Sequence, residues 1–178
     1  MKWIRKVGRL ETAALAIMLL VSIPADATSQ SPAVPSRDRF WVSGGLGVGS
    51  EDFGGSANVA FQHGSHLFSL RTAATAGLFD DGFGDVALLY GYATPTSSRH
   101  HAGAAIGIAI VDGCVDPGDG GVFSSCIDQG TVIGLPIEAQ LAWLPAKFLG
   151  IGLYGFGNIN RRRSFGGVTL SLQVGRVR

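Results

Sequence analysis

The sequence is short of charge. Charged residues make up 15% of it, against roughly 25% in ordinary soluble domains. With 14 Lys and Arg set against 13 Asp and Glu, no surface is basic enough to neutralise a run of phosphates, which excludes nucleic acid as a general partner. Cysteine is scarce too. Cys114 and Cys126 are the only two, and without histidines at ligand spacing they make a poor zinc pattern. No apolar run reaches the roughly 20 residues that a spanning helix needs. Past residue 38, no apolar stripe recurs at 3.6-residue intervals, so a helical bundle is excluded as well.

Glycine, by contrast, is abundant: 27 residues, about twice the usual share. The first 27 residues are set apart from the rest. Lys2, Arg5, Lys6 and Arg9 form a positive stretch, an apolar core follows, and Ala25-Asp26-Ala27 offers a small-x-small cleavage site. This pattern reads as a secretory signal peptide. Residues 28–38 read as a Ser/Pro-rich linker and 39–178 as the folded domain. Removing the leader takes away those four bases together with Glu11 and Asp26, so the net charge falls from +1 to −1. Export to an oxidising compartment predicts a Cys114–Cys126 disulfide.

The folded part alternates with period two. Between Ile133 and Trp143 the odd positions (Ile133, Leu135, Ile137, Ala139, Leu141, Trp143) are apolar, and the even ones (Gly134, Pro136, Glu138, Gln140, Ala142) are small or polar. Successive side chains of a strand point to opposite faces, so this spacing predicts a strand with one apolar face. The same arithmetic yields eight candidate strands. Eight is even, as a closed antiparallel barrel requires.

In a soluble barrel the apolar face looks inward and the exterior is charged. Here the second face carries mainly Gly, Ala, Ser, Asn, Gln and Thr, which suits a narrow packed interior. The apolar face is therefore predicted to meet lipid. On that reading Arg71, Asp85, Glu138 and Gln140 point inward, where pairing or hydrogen bonding among them is needed to make the buried charges tolerable. Pro136 cannot donate a ladder bond, and a bulge or local break is expected there. Short turns are expected at 62–66, 94–99 and 145–147. Outer loops are expected at 50–55, 78–83, 112–130 and 160–164, the third of them long and holding both cysteines. Phe61, Phe68, Tyr92, Trp143 and Phe148 fall near the short-turn ends as an interfacial girdle.

With the signal peptide, the strand count and the Gly-rich closing hairpin from Gly150 to Asn160 and Leu170 to Arg178 in view, residues 39–178 resemble the small bacterial outer-membrane β-barrels. This is the broad group of eight-stranded OmpA-like and OmpX-like proteins. The resemblance implies an all-β, up-and-down transmembrane barrel in the cell outer membrane. It also implies a monomer in contact with outer-membrane lipids, lipopolysaccharide and the barrel assembly machinery, with a structural or surface-interaction role and no wide pore. Such barrels typically finish on an aromatic residue; this chain ends Val177-Arg178.

Chemistry is harder to find, and no catalytic, cofactor-binding or metal-binding residue is assigned. His63-Gly-Ser-His66 with Glu138 is similar to the Ser/His/Glu trio of outer-membrane lipid A deacylases, but the topology puts Ser65 in a tight turn and Glu138 in the interior. His63, His66, His100 and His101 lack a carboxylate or cysteine at ligand spacing. Asp112, Asp116, Asp119 and Asp128 lack the EF-hand pattern. Gly44 to Gly49 has no following Lys-Ser/Thr and opens no helix. Arg161, Arg162 and Arg163 at a hairpin tip are candidate contacts for lipopolysaccharide phosphates. Two other readings compete: a lipid-modifying enzyme, and a soluble periplasmic barrel that binds a small apolar ligand.

Overall fold

The computed structural model describes residues 38–77, 82–94, 99–115, 127–128 and 130–177. The predicted leader and nearly all of the linker lie outside the described residues. The strands are β1 (Arg39–Gly49), β2 (Asp52–His63), β3 (His66–Ala76), β4 (Gly82–Ala93), β5 (His100–Val115), β6 (Ile127–Asp128), β7 (Val132–Trp143), β8 (Leu149–Asn160) and β9 (Phe165–Arg176). Every neighbouring pair is antiparallel. β4 pairs with β5, and β1 with β9, which closes the sheet into a barrel. The barrel wall has the eight strands expected. β6 is an addition, two residues that pair, among the described residues, with the end of β5; so short a segment carries no legible alternation.

The register sets the barrel's dimensions. The path of cross-strand partners runs from Phe40 to Phe61, Phe68, Tyr90, Ile106, Ile137, Gly157 and Gly166. It returns to β1 at Ser50, whose N–H donates to the Gly166 carbonyl at 2.8 Å. The path has climbed from residue 40 to residue 50. With ~3.3 Å per residue and ~4.8 Å between strands, that stagger tilts the strands by about 40° and gives a wall radius of about 8 Å. Such an interior fits side chains and no aqueous channel. Strands of 11 or 12 residues, tilted so, rise about 30 Å, the thickness of a bilayer's hydrocarbon core.

The sidedness follows the alternation. Leu135, Ile108 and Leu170 are 43%, 59% and 64% exposed, whereas Gln140 and Gln173 are 4% and 1% exposed. Inward glycines let the coiled strands approach. A Cβ at Gly107 would overlap the Leu88 carbonyl oxygen of the next strand. Gly64, at a φ of 61°, makes the tight turn between β2 and β3, a conformation that glycine adopts at no steric cost.

Of the two outcomes expected at Pro136 the structure has the break, and two expectations about the connections need adjustment. The β5–β7 ladder lapses between Ile106↔Ile137 and Ala109↔Gly134 but resumes in unchanged register, because proline removes a donor without adding a residue. The outer loops are shorter than the turn-forming residues suggested, since β2 begins at Asp52, β4 at Gly82, and β5 continues to Val115. The β2–β3 turn likewise shrinks to Gly64 and Ser65, leaving Gln62, His63 and His66 in strands.

Candidate functional site

The interior is a polar network that ties opposite walls together. Arg71 on β3 is 1% exposed. Its Nη2 donates to Asp85 Oδ2 on β4 at 2.5 Å, a diagonal neighbour in the register, since Ala73 is the residue opposite Asp85. The same guanidinium crosses the lumen and donates to the carbonyls of Ile137 on β7 (2.9 Å) and Gly157 on β8 (3.4 Å). Asn158 Nδ2 donates to Asp85 Oδ2 at 2.7 Å, so the carboxylate also bridges the lumen. The Phe156 ring lies 6.0 Å from the guanidinium carbon.

Glu138 forms a second layer. Its Oε2 accepts from the Tyr154 hydroxyl and from Ser69 Oγ, the latter at 3.4 Å. Gln140 belongs to a third, accepting from Gln173 Nε2 at 3.2 Å. Arg71, Asp85, Glu138 and Gln140 are all buried. The expected pairing of Arg71 or Asp85 with Glu138 or Gln140 does not form as a direct hydrogen bond: Arg71 reaches the Ile137 carbonyl beside Glu138, while the Glu138 carboxylate is taken by Tyr154 and Ser69. Tyr154, Asn158, Ser69 and Gln173 were missed as partners. Their signal was parity, because Tyr154 and Asn158 fall on the same side of β8 as Gly150 and Gly152 and are hidden among glycines.

Toward the short turns the interior becomes an apolar plug of Trp41, Leu67, Leu144 and Val177, all buried. Trp41 meets His101 edge-on at 5.3 Å between ring centroids. Gln62 Nε2 closes this end by donating to the carbonyls of Gly64 (2.7 Å) and Thr94 (3.3 Å).

The residues considered for catalysis are not brought together. His63 pairs with Asp38 at 2.7 Å, Ser65 is exposed in the turn, and Glu138 is enclosed. The four histidines diverge likewise. His66 Nδ1 meets the Tyr90 hydroxyl at 2.7 Å, His101 is buried and His100 exposed. Among the described residues no group of three or more His, Cys, Asp or Glu is placed to hold a metal ion. Asp116 and Asp119 lie outside the described residues.

At the opposite rim Arg163 Nη2 donates to Glu51 Oε2 at 2.8 Å, and its guanidinium carbon lies 5.1 Å from the centroid of the Phe83 ring. It is thus committed within the protein, while Arg161 and Arg162 are exposed. Cys114 ends the barrel part of β5 and pairs in the ladder with Asp128; Cys126 lies outside the described residues. On the outer wall Phe40, Phe61, Phe68 and Tyr90 are successive cross-strand neighbours, and all four are exposed. Tyr92, Trp143 and Phe148 extend the exposed aromatic band near the short turns.

No protein-family model and no curated protein matches the chain. Solved structures do. Neisserial surface protein A is 13% identical, with a TM-score of 0.55 over 77% of this chain and 94% of its own. The N-terminal β-barrel domain of Pseudomonas aeruginosa OprF is 13% identical, with a TM-score of 0.56 over 79% and 98%. Ail, the attachment invasion locus protein of Yersinia pestis, is 10% identical, with a TM-score of 0.52 over 80% and 98%. The chain therefore has the fold of the small eight-stranded outer-membrane β-barrels.

Proposed function

We propose that the chain is an integral outer-membrane β-barrel with a structural or surface-interaction role, that it conducts through no wide pore, and that it catalyses no reaction. The observation that carries the reading is the exposed apolar band, present on all eight wall strands around a lumen filled by hydrogen-bonded polar side chains. Contiguous apolar surface of this extent is untenable in water; in lipid it is what a barrel wall requires. The aromatic row beginning at Phe40 fits one membrane interface. The long β5–β7 connection then lies outside the cell, as barrels of this kind prefer, tied at its base by the Cys114–Cys126 disulfide. Outer-membrane lipids, lipopolysaccharide and the barrel assembly machinery are the partners this reading supplies.

Fractionation tests it. The protein should stay in carbonate-washed outer membranes and should migrate faster on gels unheated than boiled. Recovery from the periplasm without detergent would overturn the reading. Planar bilayers should show no large steady conductance, and lipid A should have the same mass with and without expression.

A further inference from the structure

We propose that a groove on the outer wall, between β5, β7 and β8, seats one acyl chain of a net-anionic membrane lipid whose phosphate is held by Arg161 and Arg162. This rests on the membrane reading above and goes beyond it by naming a place and a headgroup charge.

The groove is an open depression of about 550 Å³ on the outer wall, running over the backbone of Gly107 and Gly134 between the side chains of Ile108, Ile133, Leu135 and Ile159. It lies where Pro136 interrupts the β5–β7 ladder. Lipid-exposed backbone is poorly tolerated in hydrocarbon, so a chain packed into this depression covers surface that a smooth wall would not present.

One end of the groove is basic. Asn160 and Arg161 line its mouth, and the Asn160 side chain holds the turn in shape. Its Oδ1 accepts from the Arg162 and Arg163 amides at 3.0 and 2.9 Å, and its Nδ2 donates to the Arg163 carbonyl at 2.8 Å. Glu51 is occupied by Arg163, and neither Arg161 nor Arg162 has an ion pair among the described residues. The exposed Arg161 at the mouth of an apolar slot, with the exposed Arg162 next to it in the turn, matches a phosphate above an acyl chain. A headgroup that also carries an ammonium would bring a like charge to the same place.

A second groove provides the contrast. It is larger, about 640 Å³, and runs between Phe61, Leu70, Leu88 and Tyr90, with no charged residue along it. It should accept acyl chains without regard to headgroup.

The test places a tryptophan reporter in each groove, Ile133→Trp or Leu88→Trp, in a Trp143→Phe background, and refolds the protein into phosphatidylcholine vesicles. Quenching by brominated phosphatidylglycerol is compared with quenching by brominated phosphatidylcholine. Two exposed charge contacts predict a preference of about three- to tenfold for phosphatidylglycerol at Ile133→Trp and none at Leu88→Trp. Arg161→Gln/Arg162→Gln should abolish the preference. Inorganic phosphate added at the concentration of the anionic lipid should not. Equal preference at the two reporters, or a preference that survives the arginine substitutions or is lost to inorganic phosphate, overturns the proposal. If neither reporter is quenched by any brominated lipid, the membrane reading itself falls and the lipid seat with it.

Discussion

Removing Arg71 and Asp85 together should cost far less than the sum of removing each alone. Arg71→Met leaves Asp85 enclosed, with only Asn158 donating to the shared oxygen among the hydrogen bonds described above. Asp85→Leu leaves the guanidinium with the Ile137 and Gly157 carbonyls at 2.9 and 3.4 Å. Breaking a buried pair from either side costs about 3–5 kcal/mol, because an uncompensated charge remains. Independent losses would then add to about 6–10 kcal/mol in the double variant. The double variant, however, buries no charge. What remains is the loss of partners for Asn158 and for two backbone carbonyls, about 1–3 kcal/mol for each group that stays unsatisfied; the carbonyls keep a second route through the ladder. We therefore expect the double variant to lose about 2–4 kcal/mol. The assay is reversible urea unfolding in lipid vesicles, followed by tryptophan fluorescence and by the unheated gel band. If the double variant is as unstable as the sum of the singles, or if Arg71→Met costs under about 1 kcal/mol, the network does not work as an enclosed charge pair.

Three further outcomes follow from the wall and its loop. Leu170→Arg, halfway along β9, should destabilise the barrel by about 2–4 kcal/mol in vesicles, whereas the same change at Leu170 of a water-soluble protein would be close to neutral. Gly107→Ala should reduce the folded fraction or destabilise by about 1–3 kcal/mol, because its Cβ would overlap Leu88 O. Gly55→Ala, whose Cβ would have its nearest neighbour, Leu46 Cδ2, at 3.7 Å, should fold normally. Cys114 and Cys126 should resist alkylation in unfolded protein until reductant is added, with a mass gain of about 2 Da on reduction; immediate labelling of both thiols would exclude the disulfide.

Strand sidedness was legible in the sequence because period two leaves little choice once one face is apolar. Ile133 through Trp143 could not be read with Glu138 outside without turning Leu135 and Leu141 inward. The partners of each inward residue were not legible. They depend on how far the sheet staggers in closing, and nothing local to Arg71 encodes that Gly157, on the far wall, lies at its height. Pro136 illustrates the same limit. Its missing N–H was evident, but whether the strand would add a residue or skip two bonds was decided by β5 and β8 holding the register on either side.

Sidedness alone leaves the register of such a barrel underdetermined, and this gives the polar interior a second role. A one-residue slip would put Gln140 and Glu138 into lipid, and solvation forbids it. A two-residue slip preserves the alternation and exchanges one aliphatic residue for another on a face where lipid barely distinguishes them. Where no tight turn or close-packed glycine pins a strand pair, the interior is what opposes it. Sliding β3 by two residues against β4 would carry Arg71 about 7 Å along the strand, away from the Ile137 and Gly157 carbonyls on the far wall and, in the direction that takes it past Leu89, away from Asp85 as well, at a cost of the order of a broken buried pair. On this argument the Arg71→Met/Asp85→Leu barrel, though the less damaged in stability, should be the one that loses uniqueness. It should show more than one unheated band or doubled amide resonances along β3 and β4, while either single variant, if it folds at all, should show one.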